Sequence, residues 1–96
     1  MQNVEISSHD HGDHGEYRAR VVGTEARGEL TWREHGGVRC ADHTYVPPEL
    51  RGHGIAAELV RAMVDDARAN GFMIRPVCSY VVTAFDRHPE WADVRA

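Results

Sequence analysis

Apolar and polar residues change their spacing several times along this chain, and each change predicts a change of element. The longest regular stretch lies in the second half. Ile55, Leu59 and Met63 recur every fourth residue, and Val60, Val64 and Ala67 widen the stripe. That spacing lays one apolar face along a helix over about 52–70, with Glu58, Arg61, Asp65, Asp66 and Arg68 on the polar side. Asn70-Gly71 supplies a left-handed stop at its C-terminus. Earlier in the chain the period is two. Leu30 and Trp32 alternate with Glu29, Thr31 and Arg33, which predicts a half-buried antiparallel strand over 26–33. A shorter strand over 17–22 precedes it across the turn at Gly23-Thr24-Glu25. His35-Gly36-Gly37 turns the chain into a third strand, 38–46. There Val38, Cys40 and Val46 share one face, against Arg39, Ala41, His43 and Tyr45 on the other. Both faces are mixed, so one is expected to meet the core and the other a ligand groove.

Beyond the helix, Phe72, Ile74 and Val77 mark a buried strand over 72–77. It should run parallel to the third strand, because a long helix connects the two. A short helix over 80–87 follows and stops near His88-Pro89. Residues 90–96 are too few to assign. At the other end, residues 1–16 show no hydrophobic period. Ser7-Ser8-His9-Asp10-His11-Gly12-Asp13-His14-Gly15 reads as a flexible, His-rich arm ahead of a single domain over 17–96. Its alternating His and Asp offer groups that hold divalent metals, but the spacing matches no structural zinc motif and no metal site is expected.

Composition narrows the picture further. Ninety-six residues suffice for one small domain with a thin core. The formal charge is −4, and all eleven basic residues are scattered arginines, which argues against a nucleic-acid partner. No apolar run approaches the roughly 20 residues of a membrane-spanning helix. Cys40 and Cys78, with no secretory signal before them, read as free thiols of a cytoplasmic protein. So thin a domain is expected as a monomer, or as a weak dimer that covers a sheet edge.

Candidate chemistry concentrates in Tyr45-Val46-Pro47-Pro48-Glu49-Leu50-Arg51-Gly52-His53-Gly54-Ile55-Ala56. A strand ends, a rigid Pro-Pro turn follows, and a Gly-rich loop opens the long helix. Gly52 and Gly54 remove side chains where a ligand could approach the backbone. The free amides of a first helical turn, at the positive end of the helix dipole, suit a phosphate or pyrophosphate. The string resembles the pyrophosphate-binding loop of the GNAT N-acetyltransferase superfamily, Arg/Gln-x-x-Gly-x-Gly/Ala. In that register Arg51, Gly52, His53, Gly54, Ile55 and Ala56 form the loop and first turn. The resemblance runs from about Tyr17 to Val94. It is strongest to the minimal, stand-alone YjdJ-type members, which join His-Thr-x-Val-Pro-Pro-Glu to a later Cys and a His-Pro-Glu-aromatic string. The matching pieces are His43 to Glu49, Cys78, and His88-Pro89-Glu90-Trp91.

The resemblance implies an α+β fold with a mixed sheet: antiparallel strands, a β-α-β crossover and a short C-terminal helix. It implies acetyl-CoA as cofactor and transfer of its acetyl group to a primary amine, on a small molecule or a protein. A non-catalytic acyl-CoA-binding or protein-interaction module of the same fold is the alternative, suggested by the shortness of the chain. In the family two parallel strands splay apart to admit the pantetheine; here they would end near Val46 and Cys78. The pyrophosphate would rest on the amides from His53 to Ala56, with Arg51 beside it, and Arg87 could meet the 3′-phosphate. Cys78 would lie near the thioester, as acetyl acceptor, as acid toward departing CoA, or as a small buried side chain. His43, with an ordinary pKa of about 6.5, is the candidate general base or a histidine satisfied on the sheet. Tyr80 would donate to the leaving thiolate or simply pack. Two departures from the family pattern stand out: Ser79 replaces the usual Pro after Cys78, and Arg39 and Asp42 interrupt a strand that is usually apolar.

Overall fold

The computed structural model describes residues 3–96. Five strands form one mixed sheet in sequence order: β1 (Val4–Asp10), β2 (His14–Val21), β3 (Arg27–His35), β4 (Val38–Tyr45) and β5 (Met73–Pro76). Helix α1 (Ile55–Asn70) joins β4 to β5, and α2 (Ser79–Arg87) follows. Single 3₁₀ segments lie at Pro48–Leu50 and Pro89–Val94. The first four strands pair antiparallel and β5 runs parallel to β4, giving the expected α+β architecture.

The largest difference from the sequence reading lies at the N-terminus. Residues 1 and 2 of the expected flexible arm lie outside the described residues. From Val4 onward it is a full edge strand, paired with β2 from Val4↔Val21 to Asp10↔Gly15. The turn between them is closed by the His11 amide donating to the His14 carbonyl at 2.9 Å, with Gly12 at φ 102°. Backbone bonds hold this hairpin whatever its side chains are, so its polar sequence gives no sign of it. Gly15 is a packing requirement: a Cβ there would lie 2.4 Å from the His9 carbonyl oxygen and 2.5 Å from the Trp32 ring.

One face of the sheet carries the core. Tyr17, Ala19, Val21, Leu30, Trp32 and Ala41 meet Ile55, Leu59, Val60, Met63, Val64 and Ala67 of α1, and Val81, Phe85, Trp91 and Val94 complete the cluster. The apolar period of α1 thus all faces the sheet, while β2 and β3 alternate as expected. Close packing of helix on sheet is set at Gly28, where an added Cβ would stand 3.0 Å from Ile55. The opposite face is polar and holds the pairs Arg20–Glu5, Arg18–Glu29 and Arg33–Asp42. Cys40 lies in register with Arg33 on that face: buried, but outside the helix-side core.

Strand β4 departs from strict alternation. Its register against β3 steps from Ala41↔Trp32 to His43↔Thr31, so Asp42 is an extra residue, a β-bulge. The bulge puts Arg39, Ala41 and Thr44 on the helix side, with Cys40 and His43 opposite; the simple alternation placed Thr44 with Cys40. Arg39, one of the two charged interruptions of this strand, is largely covered. Its guanidinium is sandwiched between Trp32 and Phe72, 4.1 and 4.0 Å from the ring centres, and reaches Asp10 at 3.3 Å. The outer edge of β5 is covered by a parallel bridge from Ile74 to Arg95, and the Ala96 amide donates to the Ile74 carbonyl at 2.7 Å. Among the described residues, no helix is long and apolar enough to cross a membrane.

Candidate functional site

The pairing of β4 with β5 stops at Ala41↔Pro76. The amides of Val77 and Cys78 then both converge on the Ala41 carbonyl, at 3.1 and 3.0 Å, and the two strands separate. Beyond that point β4 keeps β3 on one side and has no strand on the other. A gap therefore opens between the end of β4 and the start of α2.

The chain leaving β4 is stiff and sharply folded. Pro47 and Pro48 set the path into the 3₁₀ turn, whose Leu50 is buried as an anchor. Gly52 and Gly54 then take φ values of 83° and 73°, in the left-handed region where a side chain is disfavoured. A Cβ at either would meet nothing within 4 Å, so the space above both is open. Gly54 is the N-cap of α1, and no side chain caps the helix. The first helical bond runs from the Glu58 amide to the Gly54 carbonyl at 3.1 Å, leaving the earlier first-turn amides at the positive end of the dipole.

Two cavities of about 230 Å³ each meet here. The first is lined by Val46, Leu50, Arg51, Gly52, Gly54, Ile55, Ala56, Ala57 and Tyr80. The second adds Thr44 and Tyr45 and shares Val46, Arg51, Ala56 and Tyr80 with it. A third, of about 140 Å³, continues from Ala57 and Tyr80 past Arg61, Thr83 and Ala84 to Arg87. Together they form a groove that starts at the β4–β5 gap, passes the glycine loop and runs out between α1 and α2. A bare backbone corner with open space above it suits an extended ligand carrying a compact anion at its middle.

Most of the side chains singled out from sequence line this groove: Val46, Arg51, Gly52, Gly54, Ile55, Ala56, Tyr80 and Arg87. Arg51 does so while its Nε donates to the Val46 carbonyl at 3.0 Å, which ties the loop to the end of β4. His53 sits between the two glycines without lining the cavities. Arg61 and Arg87 make no ion pair among the described residues, unlike Arg18, Arg20, Arg33, Arg39, Arg68 and Arg95.

Cys78 occupies the N-cap of α2. Partial burial works against its thiolate, but hydrogen bonds from the Tyr80 and Val81 amides, then from Thr44, outweigh it. The thiol's pKa is held below its ordinary value. His43 is not drawn into the groove: it pairs with Thr31 and is exposed on the polar face, beside the gap but on its other side. The sequence motifs include Thr44, Tyr45 and Leu50 without giving them a role in the groove, and miss Ala57 and Arg61 altogether. The helical period does place Arg61 on the polar side of α1, but nothing in the sequence marks the bulge that turns Thr44 inward.

A family model described as GCN5-related N-acetyl-transferase matches residues 16–94, a span that holds the loop, the gap and both helices. The chain belongs to that family. Membership makes this an acyltransferase-type protein at the level of the family, and it agrees with the five-stranded mixed sheet and the helix that crosses from β4 to β5. It also places the family's matched region over nearly all of the described chain, hairpin strand β1 excepted.

Proposed function

We propose that this chain is an acetyl-CoA-dependent N-acetyltransferase of the minimal YjdJ type, acting on a primary amine. One observation carries the reading: the groove joins an open glycine corner at a helix N-terminus to a strand gap flanked by a thiol of lowered pKa. The string from His43 to Glu49, with Cys78 and His88-Pro89-Glu90-Trp91, supports the YjdJ assignment.

In this reading the pyrophosphate of CoA rests on the amides from His53 to Ala56, with Arg51 beside it and Arg87 toward the 3′-phosphate. The pantetheine takes the place of the missing strand along Thr44 to Val46 and brings the thioester to Cys78. The Cys78 thiolate attacks the carbonyl carbon, the bond to the CoA sulfur breaks, and Tyr80 donates a proton to the departing thiolate. The amine nitrogen then attacks acetyl-Cys78, and the thiol is released. An acceptor reaching the gap from the polar face would pass His43, which takes its proton. The free thiol belongs to a reducing, cytoplasmic setting.

The test is an amide NMR titration with acetyl-CoA, paired with an assay of amine-dependent CoA release. The amides of His53 to Ala56 should move first. Cys78→Ala should lower CoA release at least about tenfold through loss of the covalent route; full retention of rate would leave direct attack by the amine. Binding without amine-dependent release would support the non-catalytic module instead.

A further inference from the structure

Thr44 had no role in the sequence reading, yet it stands at the junction of the two features the proposed function needs. It lines the cavity beside the strand gap, together with Val46, Arg51, Ala56 and Tyr80. Its hydroxyl also receives the Cys78 thiol: Sγ donates to Oγ1 at 3.8 Å. In strict alternation along this sequence Thr44 would share the face of Cys40 and Asp42; the register step at Asp42 instead turns both Ala41 and Thr44 toward the helices. The contact crosses the gap between β4 and α2, so it joins the two elements that must hold their separation for a ligand to enter.

We propose that Thr44 is the positioning residue for Cys78: its hydroxyl accepts the thiol's hydrogen bond, holds Sγ against the cavity wall that Thr44 lines, and donates to the thiolate once the proton has gone to solvent. A hydroxyl can reverse in this way because it is both donor and acceptor. The amides of Tyr80 and Val81, at the start of α2, can only donate; they stabilise the charged form but do not orient the neutral one. With Thr44 in place, the thiol is held in one direction in both protonation states. That is what in-line attack on a thioester lying along β4 requires. The inference rests on the transferase reading for its purpose, but not for its geometry.

The experiment therefore reads the thiol without any cofactor. The rate of iodoacetamide alkylation at Cys78 is followed against pH in the full chain and mapped by peptide mass, so that Cys40 is counted separately. In Thr44→Val the midpoint should rise by about half a pH unit or more, and the rate at neutral pH should fall roughly threefold. Thr44→Ser, which keeps the hydroxyl, should restore both. An unchanged midpoint in Thr44→Val, or a Thr44→Ser that behaves like it, overturns the proposal. Amide spectra check that each variant folds, and Thr44→Ala replaces the valine variant if that one does not. Acetyl-CoA titration of the same samples keeps the two ideas apart. If acetyl-CoA moves no amides, the transferase reading falls while the thiol titration still decides Thr44.

Discussion

Strand β4 meets two different surroundings along its eight residues, and the contrast divides stability from chemistry. From Val38 to Ala41 it has a strand on each side, and Arg39 is clamped between Trp32 and Phe72. From Thr44 to Tyr45 it has β3 alone, and an open groove lies where a neighbour would be. The first half is paired along its main chain on both edges. The second half has one edge open to the cavity lined by Thr44, Tyr45 and Val46. A single bulged residue, Asp42, separates them.

Substitutions on either side should separate the two roles. The largest loss is expected from Trp32→Ala, which empties the paired half beneath Gly15 and frees Arg39. Unfolding in urea should show about 3–5 kcal/mol of lost stability, and a loss below 1 kcal/mol would break the assignment of this half as the anchor. Next comes Gly54→Val. A branched residue at φ 73° costs about 1–2 kcal/mol of strain. Its effect on acetyl-CoA should be larger, with at least a tenfold rise in Kd by calorimetry, because the new side chain occupies the open corner.

Tyr17 gives a smaller effect with a pH signature. Its hydroxyl donates to Asp66 at 2.6 Å, stitching β2 to α1. Burial, then that hydrogen bond, pushes its pKa well above the ordinary value, so the folded chain keeps the proton longer than the unfolded one. The stabilisation is complete below the ordinary tyrosine pKa of about 10 and is lost as pH rises beyond it. Tyr17→Phe should cost about 1 kcal/mol at neutral pH, and Tm should then fall less steeply between pH 10 and 11 than in the parent. The smallest change is expected from Arg68→Ala. This breaks the exposed Arg68–Asp93 pair at 2.9 Å and should leave the urea midpoint almost where it is in the parent. It should leave acetyl-CoA binding unaltered, which sets the baseline for the other variants.

How far the chain announced all this depends on where side chains decide the outcome. Helix α1 was legible because Ile55, Leu59 and Met63 are spaced by the very surface they bury. The glycine loop was legible because left-handed backbone demands glycine, and both glycines sit at positive φ. Strand β1 was hidden. Only Val4 and Ile6 pack against the core, and at the next inward positions, 8 and 10, serine and aspartate stand in register with Tyr17 and Gly15. Gly15 ends that polar string, and its missing side chain is what leaves room for the Trp32 ring. The inward turn of Thr44 was hidden for another reason. A bulge is a property of pairing between two strands, and the alternation read along one of them assumes it away.

The same bulge has a consequence for how this backbone tolerates length change. Excising Asp42 would leave every neighbour facing the side it faces now, since Trp32↔Ala41 and Thr31↔His43 would simply become consecutive rungs. What would vanish is the bend. The ladder of β4 with β3 would then run unbroken from Glu29 to His35.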